Sequence, residues 1–401
     1  MIVGADGRKG IVSVSCPINV IILTRDEERC IARCLDSVVD SGFDRILVVD
    51  TGSADRTLEI VKSYGQRGVD LVGVDWRGSF AEARNSALDL LDEGWVVFLD
   101  ADEWLDSAAA EGIISRVAQL DGSQRCSRVA LAPVIMDSNA NTWVDQVPRV
   151  FQLKSGIRFR GDVHEYIVVG GASDESIELC STDAKFFHDG YTREVVLKKR
   201  KTERNLSLLQ QARIKDPQNP RWIYFTVRDA LPLLSGEQLM LLCSELESAV
   251  VADVPTGDHC RPVEYLRRTL GLACQGLGFR GAWETVQKYC DRIRVLDGGD
   301  SADVQYFMVM EELAMGNVTD RTLNRAIAAR KDGELLARSM LSPQGRHLDA
   351  AIAACIELRG WADEADHYRR LCHEWDDIFF ERSRIRVPQS VVLHRGQTVQ
   401  G

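Results

Sequence analysis

The sequence has no excess of positive charge, no paired cysteine motif and no long hydrophobic run. Its formal net charge is −11, so no overall basic field exists that would attract nucleic acid or an anionic membrane surface. The 11 cysteines include no Cys-x-x-Cys pair, which argues against a zinc ribbon and is typical of reduced thiols in the cytosol. No apolar run approaches the roughly 20 residues that a membrane span needs. We therefore expect a cytoplasmic protein with no nucleic-acid partner and no transmembrane segment.

The glycine-rich phosphate motifs are also missing. Neither Gly-x-Gly-x-x-Gly nor Gly-x-x-x-x-Gly-Lys-Ser/Thr occurs, so dinucleotide and P-loop binding are not encoded in their usual form. Residues 1–15 lack an apolar core, and we expect a flexible tail there and no signal peptide. A length of 401 residues favours two or three domains.

The most informative stretch is a short apolar run that ends in acids. Residues 95–99 are all apolar, and Asp100, Asp102 and Glu103 follow at once. A run this short predicts a strand buried on both faces of a parallel sheet, and side chains at its carboxyl end face the crevice where α/β sheets bind ligands. Carboxylates there suit Mg²⁺ or Mn²⁺, which proteins hold with one or two carboxylates plus substrate phosphates. The alternative is a solvated acidic turn.

Strands and helices alternate through the first half of the chain. Apolar runs at 18–23, 45–49, 69–75 and 95–99 predict strands, with helical periodicity between them. This alternation predicts parallel β-α-β units and an α/β fold with a mostly parallel sheet. Polar residues at three strand ends then lie at one edge of the sheet. Arg84 lies on the helix that precedes the strand at 95–99.

These segments together resemble the family-2 glycosyltransferases of the Rossmann-like GT-A fold. The resemblance rests on Thr-Arg-Asp-Glu-Glu at 24–28, Val-Val-Asp-Thr-Gly-Ser at 48–53, Ala-Arg-Asn at 83–85 and Leu-Asp-Ala-Asp-Glu at 99–103. It covers about residues 17–190 in collinear order. It implies a nucleotide-sugar donor, most often uridine diphosphate linked to a sugar, and a divalent metal that bridges the diphosphate and Asp102.

The resemblance also assigns donor-binding roles. Thr24 and Asp50 would line the base, Arg84 would contact the base or the diphosphate, and Asp100 would face the ribose or a metal-bound water. Other roles stay open: Thr24 as a turn residue, Asp50 as a cap of the following turn, and Arg84 in an ion pair with Glu82 or Asp102. The same segments supply further donor-binding residues: Arg25, Glu27, Gly52 and Ala101.

A second group of chemically capable residues follows in Phe-x-Gly-x-Val-His-Glu at 159–165. Inverting sugar transfer needs a base that takes the acceptor's proton, and a histidine beside a glutamate offers a metal or phosphate ligand next to such a base. We rank Glu165 first as the base and Asp162 second. His164 is a candidate for catalysis, for metal binding or for diphosphate contact, against the alternative of a structural histidine.

This motif resembles one subgroup of the same family, in which a His-x-Gly-Tyr motif and a helical repeat region follow. Here the later motif is His-Asp-Gly-Tyr at 188–191. His188 is a further candidate metal ligand, and Asp189 ranks third as the base. Arg149 and Arg158 could clamp phosphate or form surface ion pairs.

From residue 194 onward the pattern is helical. Interruptions near 235–236, 278–281, 316–317 and 359–360 recur at roughly 40-residue spacing, which is typical of stacked helical hairpins of the tetratricopeptide kind. We favour a solvated helix face for the basic cluster at 198–204 over contact with an acceptor or diphosphate. The predicted domains are a tail at 1–15, a GT-A domain at 16–193, a helical domain at 194–386 and a second tail at 387–401.

The two halves together resemble the peptide S-glycosyltransferases of glycosylated bacteriocins, of the sublancin type, and equally lipopolysaccharide glucosyltransferases. The resemblance implies a metal-dependent, inverting transfer of a hexose from a nucleotide diphosphate sugar to a peptide side chain, Cys or Ser. A lipid-linked or oligosaccharide acceptor is the alternative, and a homodimer through the helical domain is a further hypothesis. The rival classes are a nucleotidyltransferase, which normally has a Gly-rich loop after its first strand, and a non-catalytic repeat scaffold.

Overall fold

The computed structural model describes residues 16–189, 201–256 and 260–380, apart from gaps at 107, 122, 124–125, 138–142, 145, 170–176, 374 and 376. The chain divides into two compact units, with residues 1–212 and 257–259 in the first and the remainder in the second. Both predicted tails and the predicted boundary at 193/194 lie outside the described residues.

The first unit, the α/β unit, alternates strands and helices as the sequence predicts. Its strands are β1 Ile18–Thr24, β2 Arg45–Asp50, β3 Val69–Gly73, β4 Trp95–Asp100, β5 Glu103–Leu105, β6 Val129–Asp137, β7 Trp143–Val144, β8 Val150–Gln152, β9 Ile157–Arg160, β10 Tyr166–Val169 and β11 Glu178–His188. Its helices are α1 Ile31–Asp36, α2 Thr57–Ser63, α3 Phe80–Leu88 and α4 Ala109–Leu120, and α5 Lys201–Lys215 lies at its end.

Nine of these strands form one sheet in the order β3-β2-β1-β4-β8-β6-β11-β5, with β7 added beside β6. The long pairings β3-β2, β2-β1, β1-β4 and β6-β11 are parallel, whereas the short strands β5, β7 and β8 pair antiparallel. Strands β9 and β10 form a separate antiparallel pair. The predicted class, a mostly parallel α/β sheet followed by an all-α region, is confirmed.

The central strands are buried on both faces, which explains their unbroken apolar runs. In β1 the side chains alternate: Val20 and Ile22 belong to the core that also holds α1 and α4, and Ile21 belongs to the opposite core with α3. Successive side chains of a strand point to opposite faces, so both faces need apolar residues. The register of β1 against its neighbours places Thr24 beside Asp50 and Leu23 beside Asp100, so the polar strand ends meet at one edge.

The second unit is entirely helical within the described residues. Its helices are α6 Pro220–Ala230, α7 Gly236–Val251, α8 Pro262–Phe279, α9 Trp283–Asp297, α10 Ala302–Ala314, α11 Asp320–Lys331, α12 Gly333–Ala337, α13 Arg346–Leu358 and α14 Ala362–Leu371. Each of the four interruptions predicted from the sequence falls at a helix boundary. Ser235 and Thr319 close capping boxes that start α7 and α11. None of the described helices is both long and apolar enough to cross a bilayer.

A single glycine fixes the approach of β4 to the start of β1. Gly94 has φ +108°, and a Cβ atom there would lie 2.2 Å from the Pro17 carbonyl oxygen and 2.7 Å from Asn19 Nδ2. The Pro17 oxygen accepts a 2.7 Å hydrogen bond from the Trp95 amide, so it cannot withdraw without breaking the first contact between the strands.

We expect Gly94→Ala to lower the free energy of unfolding of the α/β unit by about 2 kcal/mol or more, because it combines backbone strain with a clash against backbone. The measurement is urea unfolding followed by circular dichroism. The matched control is Gly112→Ala, at an exposed position in α4 where nothing lies within 4 Å of the added Cβ. That variant should be unchanged or more stable by up to about 1 kcal/mol. Equal unfolding midpoints for the two variants would contradict this account of Gly94.

Candidate functional site

A cavity of about 320 Å³ opens where the carboxyl ends of the parallel strands meet. This is the position at which open α/β sheets bind their ligands. The polar side chains that line it come from α3, the end of β4, the start of β5, the segment before β8, the segment between β9 and β10 with the start of β10, and the end of β11. They are Arg84, Asp100, Glu103, Arg149, His164, Glu165, Tyr166 and His188.

Arg84 joins two carboxylates across this cavity. Its Nε donates to Glu165 Oε1 at 2.7 Å and its Nη2 donates to Asp100 Oδ1 at 2.8 Å. The guanidinium also lies over the rings of Phe98 and Phe159, 5.1 and 5.5 Å from their centroids. Burial acts to lower the pKa of Arg84, but Asp100 and Glu165 outweigh it and raise that pKa above its usual value. Arg84 is thus a buried, permanently charged residue, and the surface pairing considered from the sequence does not occur.

Hydrogen bonds at Ser79 and at Asn85 fix the position of α3. Ser79 caps the helix, its Oγ accepting from the Glu82 amide at 3.3 Å. One turn later the Asn85 side chain exchanges two 2.9 Å hydrogen bonds with the backbone of Phe159 in β9. The Ala-Arg-Asn motif therefore attaches the helix to β9, and this attachment brings Arg84 within reach of Glu165.

Arg149 is a second buried arginine of the cavity. Its Nη2 donates to Asp100 Oδ2 at 2.7 Å and to Glu103 Oε1 at 2.6 Å. Burial acts to raise the pKa of Asp100, but Arg149 and Arg84 outweigh it and hold that pKa well below its usual range. Burial, with the nearby Asp100 charge, raises the pKa of Glu103 to about 7 despite Arg149. Two arginines thus enclose Asp100 from both sides.

Asp102, in the turn between β4 and β5, and His188, at the end of β11, form a pair beside the cavity. Asp102 Oδ2 lies 3.4 Å from His188 Nε2, and both residues are buried. Burial acts to lower the pKa of His188, and the Asp102 carboxylate raises it above its usual value. Within the described residues no group of three or more His, Cys, Asp and Glu side chains is arranged to hold a metal ion. The predicted trio of Asp102, His164 and His188 is therefore not assembled as one set. A carboxylate and an imidazole this close do fit Mg²⁺ or Mn²⁺ that takes its other ligands from substrate phosphates and water.

Asp189, the third-ranked base, is held in ion pairs. Arg29 donates to it from both Nη atoms at 2.8 Å, and Arg33 donates to the same carboxylate. Burial acts to raise the pKa of Asp189, but these arginines lower it to about 2. Arg33 also stacks over Trp104 at 3.7 Å. A carboxylate so engaged is a poor proton acceptor at neutral pH and instead anchors the end of β11 beside His188.

Thr24 and Asp50 lie at neighbouring strand ends outside the lining of the cavity. The Asp50 carboxylate is buried and accepts from the amides of Gly52 and Ser53 at 2.9 and 3.0 Å. Gly52 has φ +104°, which lets the chain turn back over this carboxylate. The hydrogen bonds of Asp50 thus match the turn-capping alternative. The Thr24 hydroxyl is buried, with no hydrogen-bond partner among the described residues.

The remaining predicted residues lie in the loops around the site. The Arg25 side chain is about half exposed, 3.9 Å from Asp26, and the Glu27 carboxylate accepts from the Cys30 thiol at 3.0 Å. Ala101 is buried, and the Asp162 carbonyl accepts from the Phe80 amide that begins α3. These contacts show where the residues lie; their roles stay predictions.

Arg204, in the basic cluster that the sequence assigned to a solvated helix face, lies over the Phe80 ring at 5.0 Å. Its side chain is exposed and donates to Asn205 Oδ1 at 3.1 Å. Partial desolvation and the neighbouring Arg25 lower its pKa, whereas Glu165, Glu27 and Asp102 act in the opposite direction. The exposure of Arg204 agrees with a solvated face, and the other basic members of the cluster lie outside the described side chains.

The fold and this site define an α/β domain with a ligand crevice at a strand-end cluster of carboxylates and arginines. Residues 19–130 match the family model described as glycosyl transferase family 2. This part of the chain is therefore similar to family-2 glycosyltransferases, in agreement with the resemblance found in the sequence.

Individual relatives match parts of the chain. It is 30% identical over 217 residues to the SPbeta prophage-derived glycosyltransferase SunS of Bacillus subtilis, covering 54% of this chain and 50% of SunS. It is 34% identical over 155 residues to a TPR repeat-containing protein of Synechococcus elongatus, covering 37% and 35% of the two chains. The chain thus spans half or less of the length of these relatives. The crystal structure of S. aureus TarS 1-349 aligns with 90% of this chain and 94% of its own at 14% identity and a TM-score of 0.36, too low to infer a fold from it.

We expect Arg149→Met to lower the free energy of unfolding by about 3–5 kcal/mol, because it leaves the buried Glu103 and Asp100 carboxylates without a shared partner. Urea unfolding measures this loss, and the double variant Arg149→Met/Glu103→Gln should recover part of it. Arg158→Met is the matched control, since Arg158 forms an exposed pair with Asp89 at 2.9 Å. Such a pair contributes less than about 1 kcal/mol. Equal losses for Arg149→Met and Arg158→Met would contradict the role given to Arg149.

Proposed function

We propose that this protein transfers a hexose, with inversion, from a nucleoside-diphosphate sugar to a side chain of a peptide. The observation that carries the proposal is the convergence of Glu165, Arg84 and Asp100 in one cavity at the end of β4. Arg84 and Asp100 belong to the residues that match the family-2 model. Uridine diphosphate is the nucleotide that the sequence resemblance favours.

Glu165 is the group we assign as the general base. Its Oε1 accepts from Arg84, and its Oε2 has no partner among the described residues, so one oxygen is fixed and the other is available to substrate. In the reaction the acceptor oxygen or sulfur attacks the anomeric carbon, and the bond from that carbon to the diphosphate breaks. The diphosphate leaves with the electron pair, and Glu165 takes the acceptor's proton. Arg84 orients the base throughout.

Asp102 and His188 would hold the divalent metal, whose chemistry is to stabilise the negative charge that develops on the departing diphosphate. Arg204, an exposed residue of α5 that lies over the Phe80 ring, would add a further cation for the diphosphate, because guanidinium groups pair well with phosphate oxygens. Because the protein as a whole is acidic, it does not attract an anionic donor, and binding of the donor needs cations at the site.

A peptide acceptor is supported by the combination of the two halves. The chain is similar to SunS over 217 residues, and the helical hairpins of the second unit are of the kind that build concave surfaces for extended partners. The acceptor atom follows from the same resemblance and is a cysteine sulfur or serine oxygen.

We expect Glu165→Gln to lower kcat by about 10²–10⁴-fold, because it removes the proton acceptor while an amide oxygen can still accept from Arg84. Steady-state transfer assays with UDP-sugars measure kcat, and calorimetric titration of the donor should show its Kd changed by less than about threefold. Asp162→Asn is the comparison variant, since Asp162 ranks second as the base and the substitution keeps the backbone carbonyl that accepts from the Phe80 amide. A larger loss in Asp162→Asn than in Glu165→Gln would move the base to Asp162.

We expect Asp102→Asn to abolish the dependence of nucleotide binding on Mn²⁺. Calorimetry should show that wild-type protein binds UDP more tightly with Mn²⁺ than with chelator, and that the variant binds equally weakly in both. Asp89→Asn, which changes an exposed carboxylate, should behave as wild type. If the wild-type protein binds UDP equally well with Mn²⁺ and with chelator, the metal assignment is refuted and the assignment of Glu165 is unaffected.

A further inference from the structure

The proposed base lies in the loop of a β-hairpin. Strands β9 and β10 pair antiparallel with Arg160 opposite Tyr166, and residues 161–165 form the loop between them. Glu165 is the last residue of this loop and contacts α3, where its Oε1 accepts from Arg84 Nε at 2.7 Å. The conformation of a short loop therefore decides whether this carboxylate reaches Arg84.

Two further contacts hold the middle of the loop. The Asp162 carbonyl accepts from the Phe80 amide at 3.0 Å, at the first residue of α3. The next residue, Val163, is buried, with 3% of its surface exposed. Glu165 lines the cavity, and His164 alone lies between it and the buried valine. The chain therefore has to turn from an anchored position toward the cavity within a single residue.

His164 makes this turn in a left-handed backbone conformation. Its φ is +50°, in the region that residues other than glycine seldom adopt. Among the described residues, the other positions with a positive φ and a side chain are all aspartates: Asp26, Asp40 and Asp253. Asparagine, aspartate and histidine tolerate this region, whereas a β-branched residue is strongly disfavoured in it. A conformation that costs free energy persists where the surrounding contacts hold it, and such positions cluster at functional sites.

We propose that the left-handed conformation of His164 aims Glu165 at Arg84, so that His164 is a positioning residue for the base. Each residue has only two soft backbone angles, so a negative φ at this position would redirect the chain that follows while Val163 stays in place. The catalytic part of this inference rests on the proposed function, because it takes Glu165 as the base. The contact between Glu165 and Arg84 is independent of that function and can be measured by itself.

The competing explanation for a histidine here is that its imidazole binds the metal or the diphosphate. In the described part of the chain, however, His164 belongs to no cluster of side chains that could hold a metal ion. The two explanations differ in which replacement is tolerated. Asparagine and valine both remove the imidazole, but only asparagine tolerates a positive φ.

The first test compares His164→Asn with His164→Val in steady-state transfer assays with UDP-sugars. We expect kcat of the valine variant to be at least about tenfold below that of the asparagine variant, because a displaced base reacts slowly. The Kd for the donor, measured by calorimetry, should differ by less than about threefold between the two variants, since the change acts on the reaction and not on donor binding. Equal losses of kcat in the two variants, or no loss in either, would overturn the proposal.

Arg160→Asn and Arg160→Val are the matched controls. Arg160 is an exposed residue of β9 and is not among the residues with a positive φ. Because extended backbone accepts a β-branched residue readily, valine carries no penalty at this position. The two control variants should therefore differ by less than about threefold in kcat, as surface substitutions do.

The second test measures the contact between Glu165 and Arg84 without any substrate, as a double-mutant cycle on the melting temperature. Glu165→Gln removes a charge that pairs with the buried Arg84 and should lower the melting temperature of the wild-type protein by about 2 °C or more. In the His164→Val background the same change should lower it by less than about half as much, because the pair is already broken. His164→Ala carries the same cycle should the valine variant fail to fold.

The two tests separate this inference from the proposed function. No loss of melting temperature on Glu165→Gln in the wild-type protein, or an equal loss in both backgrounds, would refute the positioning role whatever the transfer assay gives. Coupling between His164 and Glu165 in a protein that transfers no sugar would refute the proposed function and leave the positioning of the carboxylate standing. Transfer that depends on Glu165 but shows no coupling to His164 would refute the positioning role alone.

Discussion

The candidate site depends on two buried arginines that share one carboxylate. Arg84 and Arg149 approach Asp100 from different elements and each also holds a second acid, Glu165 or Glu103. Isolated charges are costly to bury, so each member of this group needs the others. The group ties α3, the end of β4, the segment before β8 and the segment after β9 to one point.

This constraint explains why the surrounding backbone is so closely specified. Arg149 is placed by two backbone hydrogen bonds: its carbonyl accepts from the Phe98 amide of β4 at 2.8 Å, and its amide donates to the Leu131 carbonyl of β6 at 2.9 Å. Arg84 is placed by the Asn85 attachment to β9. A rigid scaffold of this kind keeps catalytic groups in position without help from the ligand. The same rigidity sets Glu165 at a fixed distance from Asp100.

Charge in this protein combines a general acidic excess with buried arginines at the cavity. The net charge of −11 does not attract an anionic donor. Arg84 and Arg149 each pair with two carboxylates, so their positive charge is balanced within the cavity. An anionic donor would therefore need an additional cation, which is the role that the proposed function gives to the metal.

The sequence by itself determined the alternation of strands and helices, the strand-end position of Asp50 and Asp100, and the helical character of the second half. These features depend on local periodicity and on short motifs, which can be read from the sequence alone. Only the tertiary structure decided the partners of the buried charges: Asp189 is paired with Arg29, and Glu103 is paired with Arg149 in the cavity. These pairs join residues that are far apart in the chain, so no local pattern in the sequence shows them.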